Sequence, residues 1–571
     1  MDISEEMKKD VLQKAQSYIG SEKTEAFRAE VEKALKAEDW DDLYDRFYTA
    51  LAFGTAGMRG VIGGGTNRIN TFMVRKVTQG LADYLKKIES PSCVIAYDSR
   101  NYSYEFAHSA ALVLAANGVR TYLYDTLHPV PMLSFAVRYL KTTSGIVVTA
   151  SHNPSKYNGY KVYWSDGGQV TPPHDIEIAK LANAVKAEDI KDGDEDELRR
   201  SGILSSVPSD VDEAYYAMVK RSLRRPEIIE SAQIKVAYTP LHGTGNVPVR
   251  TMLKDLGIDV EVVEEQELPD GNFPTVKLPN PESAEAMSKA IELGKRIKAD
   301  IVLGTDPDAD RLGIAIPKNS EKSEYQLLTG NQIATLLADY LLVTSLEMGR
   351  GGKTPLVVKS LVTTDLVKKI AEKNGALCKD VLTGFKYIAE QMQKIDDDPS
   401  CDRYFLFGCE ESYGFLTVND VHDKDAVSSA VAAVEMMCYY ASKGISLQQR
   451  LDAIYASYGY STEVVFSRDY EGASGKEKMA SIMAGFRALK AGDTLVGRTI
   501  ESIEDLLKDG TDFPLSDVVI VRFKSGEKLV IRPSGTEPKI KYYIFLSEGP
   551  DGRKALEERL GQIVSDFKSA L

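Results

Sequence analysis

The chain of 571 residues is too long to fold around one hydrophobic core, and its length alone predicts three to four domains. Hydrophobic residues make up 43% of the sequence and charged residues 27%, as in ordinary soluble globular proteins. The formal net charge of −14 argues against a nucleic-acid-binding protein, which usually carries a basic face, although an acidic protein can still hold an anionic substrate in a local cationic pocket.

The five cysteines include no CxxC pair, which argues against a disulfide framework or a structural zinc site and fits a reducing compartment. The first residues, MDISEEMKKDVLQKAQ, predict a charged amphipathic helix and lack the apolar segment of a signal peptide. No apolar run approaches the roughly 18 residues of a membrane-spanning helix. We therefore expect a cytoplasmic protein without a membrane partner, and the sequence does not indicate its oligomeric state.

Short apolar runs alternate with amphipathic helical stretches along most of the chain, which is typical of α/β domains with parallel or mixed sheets. Strands are predicted at 93–97, 119–124, 145–149, 234–238, 299–304, 355–359 and 404–407, and helices at 102–117 and 364–374. The acidic stretch 186–212 predicts a domain linker or an exposed helix, and 317–326 predicts a surface hairpin. Near the end of the chain, strand-like segments at 518–531 and 540–546 precede a helix at 553–570.

This pattern predicts an α/β protein with three consecutive α/β domains, mixed sheets and a smaller C-terminal α+β domain. The predicted divisions are an N-terminal helical extension, three α/β domains and the final α+β domain, at 1–45, 46–210, 211–325, 326–455 and 456–571.

The segment TASHNPSKYNGYK, residues 149–161, follows a predicted buried strand, where open α/β sheets usually place ligands. Asn153-Pro154 favours a turn that lifts Ser151 and His152 into a loop, and the Ser151 hydroxyl there is able to carry a phosphoryl group if cations surround it. Lys161 is positioned to return over the site as a base or a charge partner. The alternative is an ordinary turn; a serine hydrolase is disfavoured because no G-x-S-x-G elbow is present.

The segment DPDADR, residues 306–311, carries three carboxylates at alternate positions. On an extended loop Asp306, Asp308 and Asp310 would point to one side and form a site for a hard cation. An EF-hand calcium loop is excluded because Arg311 replaces the glycine at its sixth position and Pro317 the glutamate at its twelfth; Mg²⁺ fits better. The alternative is a helix cap or a solvated acidic turn.

Three further segments carry weaker signals. RPSGTEP, residues 532–538, offers the planar fork of Arg532 with hydroxyls and backbone N–H groups in a tight turn, which suits a phosphate dianion or simply forms a Pro-Gly turn. GCEESYG, residues 408–414, places Glu410 and Ser412 where they are able to read sugar hydroxyls, or forms a solvated acidic turn. FGTAGMRG, residues 53–60, adds glycine turns and Arg59, and Gly63-Gly64-Gly65 is interpreted as flexible backbone only.

Together, FGTAGMRG, TASHNPSKYNGYK, DPDADR, GCEESYG and RPSGTEPK resemble the α-D-phosphohexomutase superfamily, which includes phosphoglucomutases and phosphomannomutases. The five motifs occur in the family's order and span nearly the whole chain, from about 50 to 540. The resemblance implies four domains around a central cleft. It also implies soluble sugar phosphates as partners, Mg²⁺ as a cofactor and glucose 1,6-bisphosphate as an activator.

The resemblance further implies a role for each matching residue. Ser151 would carry the phosphoryl group and share Mg²⁺ with Asp306, Asp308 and Asp310. The transferring group would be surrounded by Arg59, His152, Lys161 and Arg311, with Lys161 as a general base. Sugar recognition would fall to Glu410 and Ser412, with Lys386 of Thr383-Gly-Phe-Lys386 as a weaker match. The substrate's distal phosphate would be bound by Arg532, Ser534, Gly535 and Thr536.

These features predict an intramolecular phosphotransferase that interconverts glucose 1-phosphate and glucose 6-phosphate through a phosphoserine and a bisphosphorylated sugar. Glu410-Glu411-Ser412 is closer to the glucose-handling pattern than to the Glu-Met-Ser of dual mannose and glucose enzymes. The N-terminal extension and the long final domain resemble the branch with phosphopentomutases and a glucose 1,6-bisphosphate synthase, so these activities and phosphomannomutase activity stay open. A Mg²⁺-dependent phosphatase that uses Asp306 and Asp308 is a second class, but its DxDGT continuation is missing.

Overall fold

A computed structural model describes residues 3–54, 57–349, 351–470, 472–508, 510–534, 539–548 and 553–570. The chain divides into two compact units. The first comprises Met1–Leu327, Ala389–Asp397 and Gly414–Tyr439, and the second comprises Leu328–Ile388, Asp398–Tyr413 and Tyr440–Leu571.

Three helices begin the first unit: α1 (Glu5–Ser21), α2 (Glu25–Lys36) and α3 (Trp40–Phe47). The Ser4 and Asp39 side chains cap α1 and α3 by accepting hydrogen bonds from free backbone N–H groups of the first turn. The apolar faces of the three helices are buried in one hydrophobic cluster with the α/β domain that follows. The predicted N-terminal extension therefore shares a core with that domain.

The triplet Gly63-Gly64-Gly65 is the surface on which these helices rest. The N–H of Gly64 donates to Glu30 Oε2 (2.8 Å), and its carbonyl accepts from Arg46 Nη1 (2.8 Å). A Cβ atom on Gly64 would lie 2.3 Å from the carbonyl oxygen of Phe27, so the close approach requires glycine. The interpretation of the triplet as flexible backbone only was wrong, because the glycines form a buried packing surface.

The first α/β domain is built on a six-stranded mixed sheet with the order β1-β5-β4-β2-β3-β6. Its elements are β1 (Met58–Val61), α4 (Thr71–Leu85), β2 (Ser92–Tyr97), α5 (Ser103–Ala116), β3 (Arg120–Leu123), α6 (Val130–Tyr139), β4 (Ser144–Val148), β5 (Tyr157–Trp164), α7 (His174–Ala184), a 3₁₀ turn (Ala187–Asp189), α8 (Glu195–Arg200), β6 (Leu204–Ser206), α9 (Asp210–Ser222) and α10 (Pro226–Ser231). Strands β2, β3, β4 and β6 pair in parallel, and β2 and β4 are buried along most of their length. Strands β2, β3 and β4 confirm the predictions at 93–97, 119–124 and 145–149.

The stretch 186–212 is only partly what its composition predicts. Helix α8 buries no residue, as expected for an exposed helix. Strand β6, however, pairs in parallel with β3 as the edge of the sheet. Edge strands are often short and polar, and β6 consists of three residues, two of them serines. Its sequence therefore lacks the apolar run by which the other strands were predicted.

The second α/β domain holds a five-stranded mixed sheet with the order β11-β10-β9-β7-β8. Its elements are β7 (Lys235–Thr239), α11 (Asn246–Asp255), β8 (Asp259–Val262), α12 (Glu264–Glu267), α13 (Ala284–Ile297), β9 (Ile301–Thr305), β10 (Leu312–Pro317) and β11 (Tyr325–Leu327). The antiparallel pairing of β10 with β11 confirms the predicted hairpin at 317–326.

The third α/β region contains β12, which pairs in parallel with both β13 and β14. Its elements are α14 (Gly330–Met348), β12 (Thr354–Ser360), α15 (Asp365–Lys373), β13 (Leu377–Val381), α16 (Lys386–Asp396), β14 (Arg403–Glu410), β15 (Gly414–Leu416), α17 (Ala426–Ser442) and α18 (Leu447–Tyr458). Strands β12 and β14 and helix α15 match the predicted positions.

The C-terminal domain is a six-stranded antiparallel sheet with the order β16-β21-β20-β19-β18-β17. Its elements are β16 (Tyr460–Asp469), α19 (Gly472–Ala488), β17 (Thr494–Leu495), β18 (Arg498–Asp505), β19 (Val519–Phe523), β20 (Lys528–Pro533), β21 (Lys539–Glu548) and α20 (Arg553–Ala570).

The predicted fold class, three consecutive α/β domains followed by a smaller mixed domain, is confirmed. The residue boundaries of the domains stay predictions. Among the residues described, helices of a length and hydrophobicity sufficient to cross a membrane are absent.

Candidate active site

The loop after β4 holds Ser151 in an unusual backbone conformation. Ser151 has a φ of 53° and is only 5% exposed. Its N–H donates to Thr149 Oγ1 (2.8 Å), and its Oγ donates to Asp306 Oδ2 (2.8 Å) and lies 3.0 Å from His152 Nδ1. A left-handed backbone at a non-glycine residue costs about 1–3 kcal/mol and persists only where the surroundings enforce it. The hydroxyl is therefore held in place beside the aspartate segment.

The three aspartates follow β9 in a tight turn. The expected extended loop was wrong: Ala309 has a φ of 48°, and Asp306 Oδ1 accepts hydrogen bonds from the N–H groups of Asp310 (3.1 Å) and Arg311 (3.0 Å). Side chains that would alternate on an extended loop converge here because the backbone folds around Asp306. One carboxylate oxygen from each of Asp306, Asp308 and Asp310 lies within 4.8 Å of the others.

The chemistry of this carboxylate cluster suits a hard divalent cation. All three side chains are buried, and Asp308 Oδ1 and Asp310 Oδ1 have no hydrogen-bond partner among the described residues. Burial raises the pKa of Asp306 well above its usual range, and the negative charges of Asp308 and Asp310 raise it further. Buried carboxylate oxygens without partners are costly, and a cation bound to oxygen ligands would satisfy them. The residues therefore fit a metal site.

Two lysines partly balance the carboxylates. Lys161 Nζ lies 3.1 Å from Asp308 Oδ2, and Lys424 Nζ lies 3.1 Å from Asp310 Oδ2. Burial alone would raise the pKa of Asp308, but the charge of Lys161, a hydrogen bond with Asp306 and the charge of Lys424 hold that pKa below its usual range. An acidic cluster with two adjacent ammonium groups is suited to holding a phosphoryl group between a cation and lysines.

Lys424 was not predicted from the sequence, nor was its partner Asp423. Lys424 Nζ also lies 3.1 Å from Asp423 Oδ1, and Asp423 Oδ2 accepts from Tyr163 OH (2.7 Å) and Gln169 Nε2 (3.1 Å). The segment Gly414–Tyr439 belongs to the first unit, and a backbone bond from Ala426 N to Ala309 O (3.2 Å) fixes it beside the aspartate turn. The only signal in the sequence is the run HDKD, residues 422–425, which lies outside the five motifs and shortly after GCEESYG, residues 408–414.

The remaining residues predicted to surround the transferring group are also in the first unit. Arg311 Nη1 binds Glu282 Oε1 at 2.6 Å. Arg59 is exposed on β1, where it pairs with Gly159 of β5. Burial lowers the pKa of His152 well below its usual range, and the positive charges of Arg311 and Arg59 lower it further, which favours the neutral form of the ring.

The predicted sugar-recognition residues lie in the second unit. Glu410, at the end of β14, accepts a hydrogen bond through Oε1 from the N–H of Gly384 (2.7 Å). This bond brings Glu410 next to the loop before α16, the helix that begins at Lys386. Lys386 Nζ lies 5.4 Å from the centre of the Tyr387 ring. Ser412 lies in the turn between β14 and β15. Glu410 and the start of α16 are thus neighbours, as a shared binding role requires.

The predicted phosphate-binding loop begins at the end of β20. Arg532 pairs with Lys541 of β21 across the sheet, and the N–H of Ser534 donates to the carbonyl of Lys539 (2.8 Å). Gly535 and Thr536 lie outside the described residues. The contribution of this loop to phosphate binding stays a prediction.

Family models and a curated relative match most of this chain. Models described as phosphoglucomutase/phosphomannomutase, alpha/beta/alpha domains I, II and III, match residues 50–189, 213–319 and 329–458. A phosphoglucomutase of Staphylococcus aureus (strain MRSA252) is 38% identical over 534 residues, which cover 89% of this chain and 92% of the relative.

Two solved structures share the fold. A phosphoglucomutase/phosphomannomutase family protein from Burkholderia thailandensis is 18% identical with a TM-score of 0.66, covering 92% of this chain and 97% of that one. The open form of pp63/parafusin, a phosphoglucomutase from Paramecium, is 17% identical with a TM-score of 0.67, covering 91% and 96%.

Proposed function

This chain belongs to the phosphoglucomutase/phosphomannomutase family of isomerases, and from that membership we propose that it interconverts glucose 1-phosphate and glucose 6-phosphate. The reaction would proceed through a phosphoserine at Ser151 and a bisphosphorylated sugar. The observation that carries the proposal is the position of Ser151 Oγ, 2.8 Å from Asp306 Oδ2 in a cluster of three buried carboxylates.

Mg²⁺ is the proposed cofactor, held by Asp306, Asp308, Asp310 and an oxygen of phosphorylated Ser151. Three carboxylates leave coordination positions for a phosphate oxygen, as Mg²⁺ sites usually do. When bound, the cation would neutralise charge that accumulates on the transferring phosphoryl group.

In the first half-reaction a sugar hydroxyl attacks phosphoserine: its new bond to phosphorus forms as the bond to Ser151 Oγ breaks. The hydroxyl proton must pass to a base. We propose Lys161 or His152 for this role, and Lys424 joins them as a candidate because it lies beside the same carboxylates. In the second half-reaction, after the bisphosphate has turned over, Ser151 Oγ attacks its other phosphorus and the bond from that phosphorus to the sugar oxygen breaks. The proton of Ser151 passes to His152 Nδ1, which lies 3.0 Å from Oγ, and the departing sugar oxygen takes up a proton from one of the side chains proposed above. Arg59 and Arg311 supply positive charge near the reacting group.

The distal phosphate and the sugar hydroxyls of the substrate have their own proposed binding residues. Arg532, Ser534, Gly535 and Thr536 are proposed to bind the distal phosphate, because an arginine fork and a tight turn of N–H groups suit a dianion. Glu410 and Ser412, with Lys386 beside them, are proposed to read the sugar hydroxyls. Glucose 1,6-bisphosphate would act as the activator that restores phosphoserine after it is lost.

The test is phosphorus NMR of the protein with glucose 1-phosphate, Mg²⁺ and a trace of glucose 1,6-bisphosphate. We expect glucose 6-phosphate to appear with little inorganic phosphate; accumulation of inorganic phosphate would instead indicate a phosphatase. Ser151→Ala should abolish turnover and leave the protein folded. Ser155→Ala, in the same loop, is the matched control and should retain activity. Near-normal turnover by Ser151→Ala would end the proposal, and conversion of only mannose or pentose 1-phosphates would replace glucose as substrate.

A further inference from the structure

Arg100 lies directly behind the serine loop and binds its backbone at four points. The guanidinium donates through Nη2 to the carbonyls of Ser151 and Asn153, each at 2.5 Å, and through Nη1 to those of Pro154 and Tyr157, each at 3.0 Å. These carbonyls span the whole turn that starts at the reactive serine. A planar guanidinium with several N–H donors is suited to collecting them, whereas a lysine ammonium is not.

A buried carboxylate ties Arg100 to the other side of the same serine. Asp98 accepts the N–H of Arg100 through Oδ1 (2.9 Å), and its Oδ2 lies 3.4 Å from Arg100 Nε. The same Oδ2 accepts from Thr149 Oγ1 (2.6 Å), which in turn accepts from the N–H of Ser151 (2.8 Å). The carbonyl of Ser151 thus accepts a hydrogen bond from Arg100, and its N–H is connected through Thr149 to Asp98. Arg100 and Asp98 form one buried ion pair.

A loop of the second α/β domain covers Arg100 and its neighbours. The Phe273 ring lies over the guanidinium of Arg100, with 5.0 Å between the ring centre and Cζ. Two residues earlier, a Cβ atom on Gly271 would lie 2.4 Å from Asn101 N, and Asn101 Nδ2 donates to Asn272 Oδ1 (2.9 Å). The loop thus packs tightly on the turn that carries Arg100, which is only 3% exposed. Exclusion of water strengthens the hydrogen bonds of the cation to the carbonyls.

We propose that Arg100 is a positioning residue for the phosphoryl transfer, and that its four carbonyl contacts hold Ser151 in the left-handed conformation that points Oγ at the aspartate cluster. This conformation is disfavoured for residues other than glycine, so neighbouring contacts must maintain it. The inference rests on the proposed role of Ser151. It adds that the geometry of the serine is set by a residue that touches neither the substrate nor the reacting atoms.

The test compares Arg100→Lys with a matched control, Arg120→Lys, whose arginine is exposed on β3 of the same domain. We expect Arg100→Lys to lower kcat at least tenfold and to change KM for glucose 1-phosphate less than twofold, because the substrate is held by other residues. Amide hydrogen exchange of a peptide covering 149–158 should become faster in Arg100→Lys and stay unchanged in Arg120→Lys.

A kcat within twofold of the wild type in folded Arg100→Lys would overturn the proposal, as would unchanged exchange in the loop. If Arg100→Lys does not fold, Phe273→Leu tests the proposal instead, because it keeps the arginine and removes the aromatic ring that covers it. Its kcat should fall severalfold at constant KM, and an unchanged kcat would count against the proposal. If the wild-type protein proves inactive, the proposed function fails, while the exchange measurement still tells whether Arg100 holds the loop.

Discussion

Glu411, next to Glu410, which is proposed to read the sugar hydroxyls, should make the stability of the protein depend on pH. Burial and the charge of Glu410 raise the pKa of Glu411 from its ordinary 4.5 to about 7. Its Oε2 accepts a hydrogen bond from Ser360 Oγ (3.1 Å). Glutamine in its place would keep a hydrogen-bond acceptor for Ser360 and remove the titrating group.

The sign and size of the effect follow from the two pKa values. Between pH 4.5 and about 7 the folded protein binds a proton at Glu411 that the unfolded chain has released, so stability falls as the pH rises through this interval. Between about pH 5.5 and about pH 8 the loss is about 2 kcal/mol, and this is an upper value because the side chain is partly exposed.

Calorimetric unfolding at both pH values measures this loss. In a unit of this size 2 kcal/mol corresponds to roughly 4–8 °C, so the wild type should lose that much unfolding temperature relative to Glu411→Gln. Glu372→Gln, at an exposed position of the same unit, should follow the wild type. Parallel pH profiles for the wild type and Glu411→Gln would refute the reasoning and place the pKa of Glu411 near its ordinary value.

Two further substitutions separate metal binding from substrate binding. Asp308→Asn should lose activity and magnesium dependence together, because it removes a charged ligand from the buried cluster. Titration calorimetry measures the Mg²⁺ affinity of the variant, and an affinity equal to that of the wild type would show that Asp308 is not a ligand. Arg532→Ala should raise KM at least tenfold with a smaller effect on kcat, since a distal phosphate is bound alike in the ground and transition states. An unchanged KM in steady-state assays would place the distal phosphate elsewhere.

The positions of candidate site residues could be predicted where these residues lie close together in the sequence, directly after a predicted strand. Ser151 and Asp306 each follow a buried apolar strand, and a strand end in an α/β sheet is where ligands are expected. The local shape was harder to predict: the aspartates converge through a turn at Ala309, because the backbone N–H groups of Asp310 and Arg311 bond to Asp306. Periodicity describes regular elements and carries no information on such turns.

The contacts that Lys424 and Arg100 make with distant segments of the chain were not predicted. Lys424 lies within the stretch predicted as the third α/β domain, yet its segment belongs to the first unit and its ammonium group contacts Asp310. Arg100 follows the predicted strand at 93–97, and nothing in the sequence indicated a role for it. Its role depends on a loop about fifty residues later and on Phe273 of another domain. Spacing in one chain does not reveal which distant charges meet.

The packing of α2 against Gly64 has a practical consequence for anyone who redesigns this polypeptide. A Cβ atom on Gly64 would lie only 2.3 Å from the carbonyl oxygen of Phe27, and the first three helices share a hydrophobic cluster with the first α/β domain, so they are packed tightly onto it. Trimming them to obtain a shorter version would strip the cover from the buried rings of Phe72 and neighbouring residues, and the product would tend to aggregate. Affinity tags and reporter fusions therefore belong before Ser4, so that the three helices stay intact.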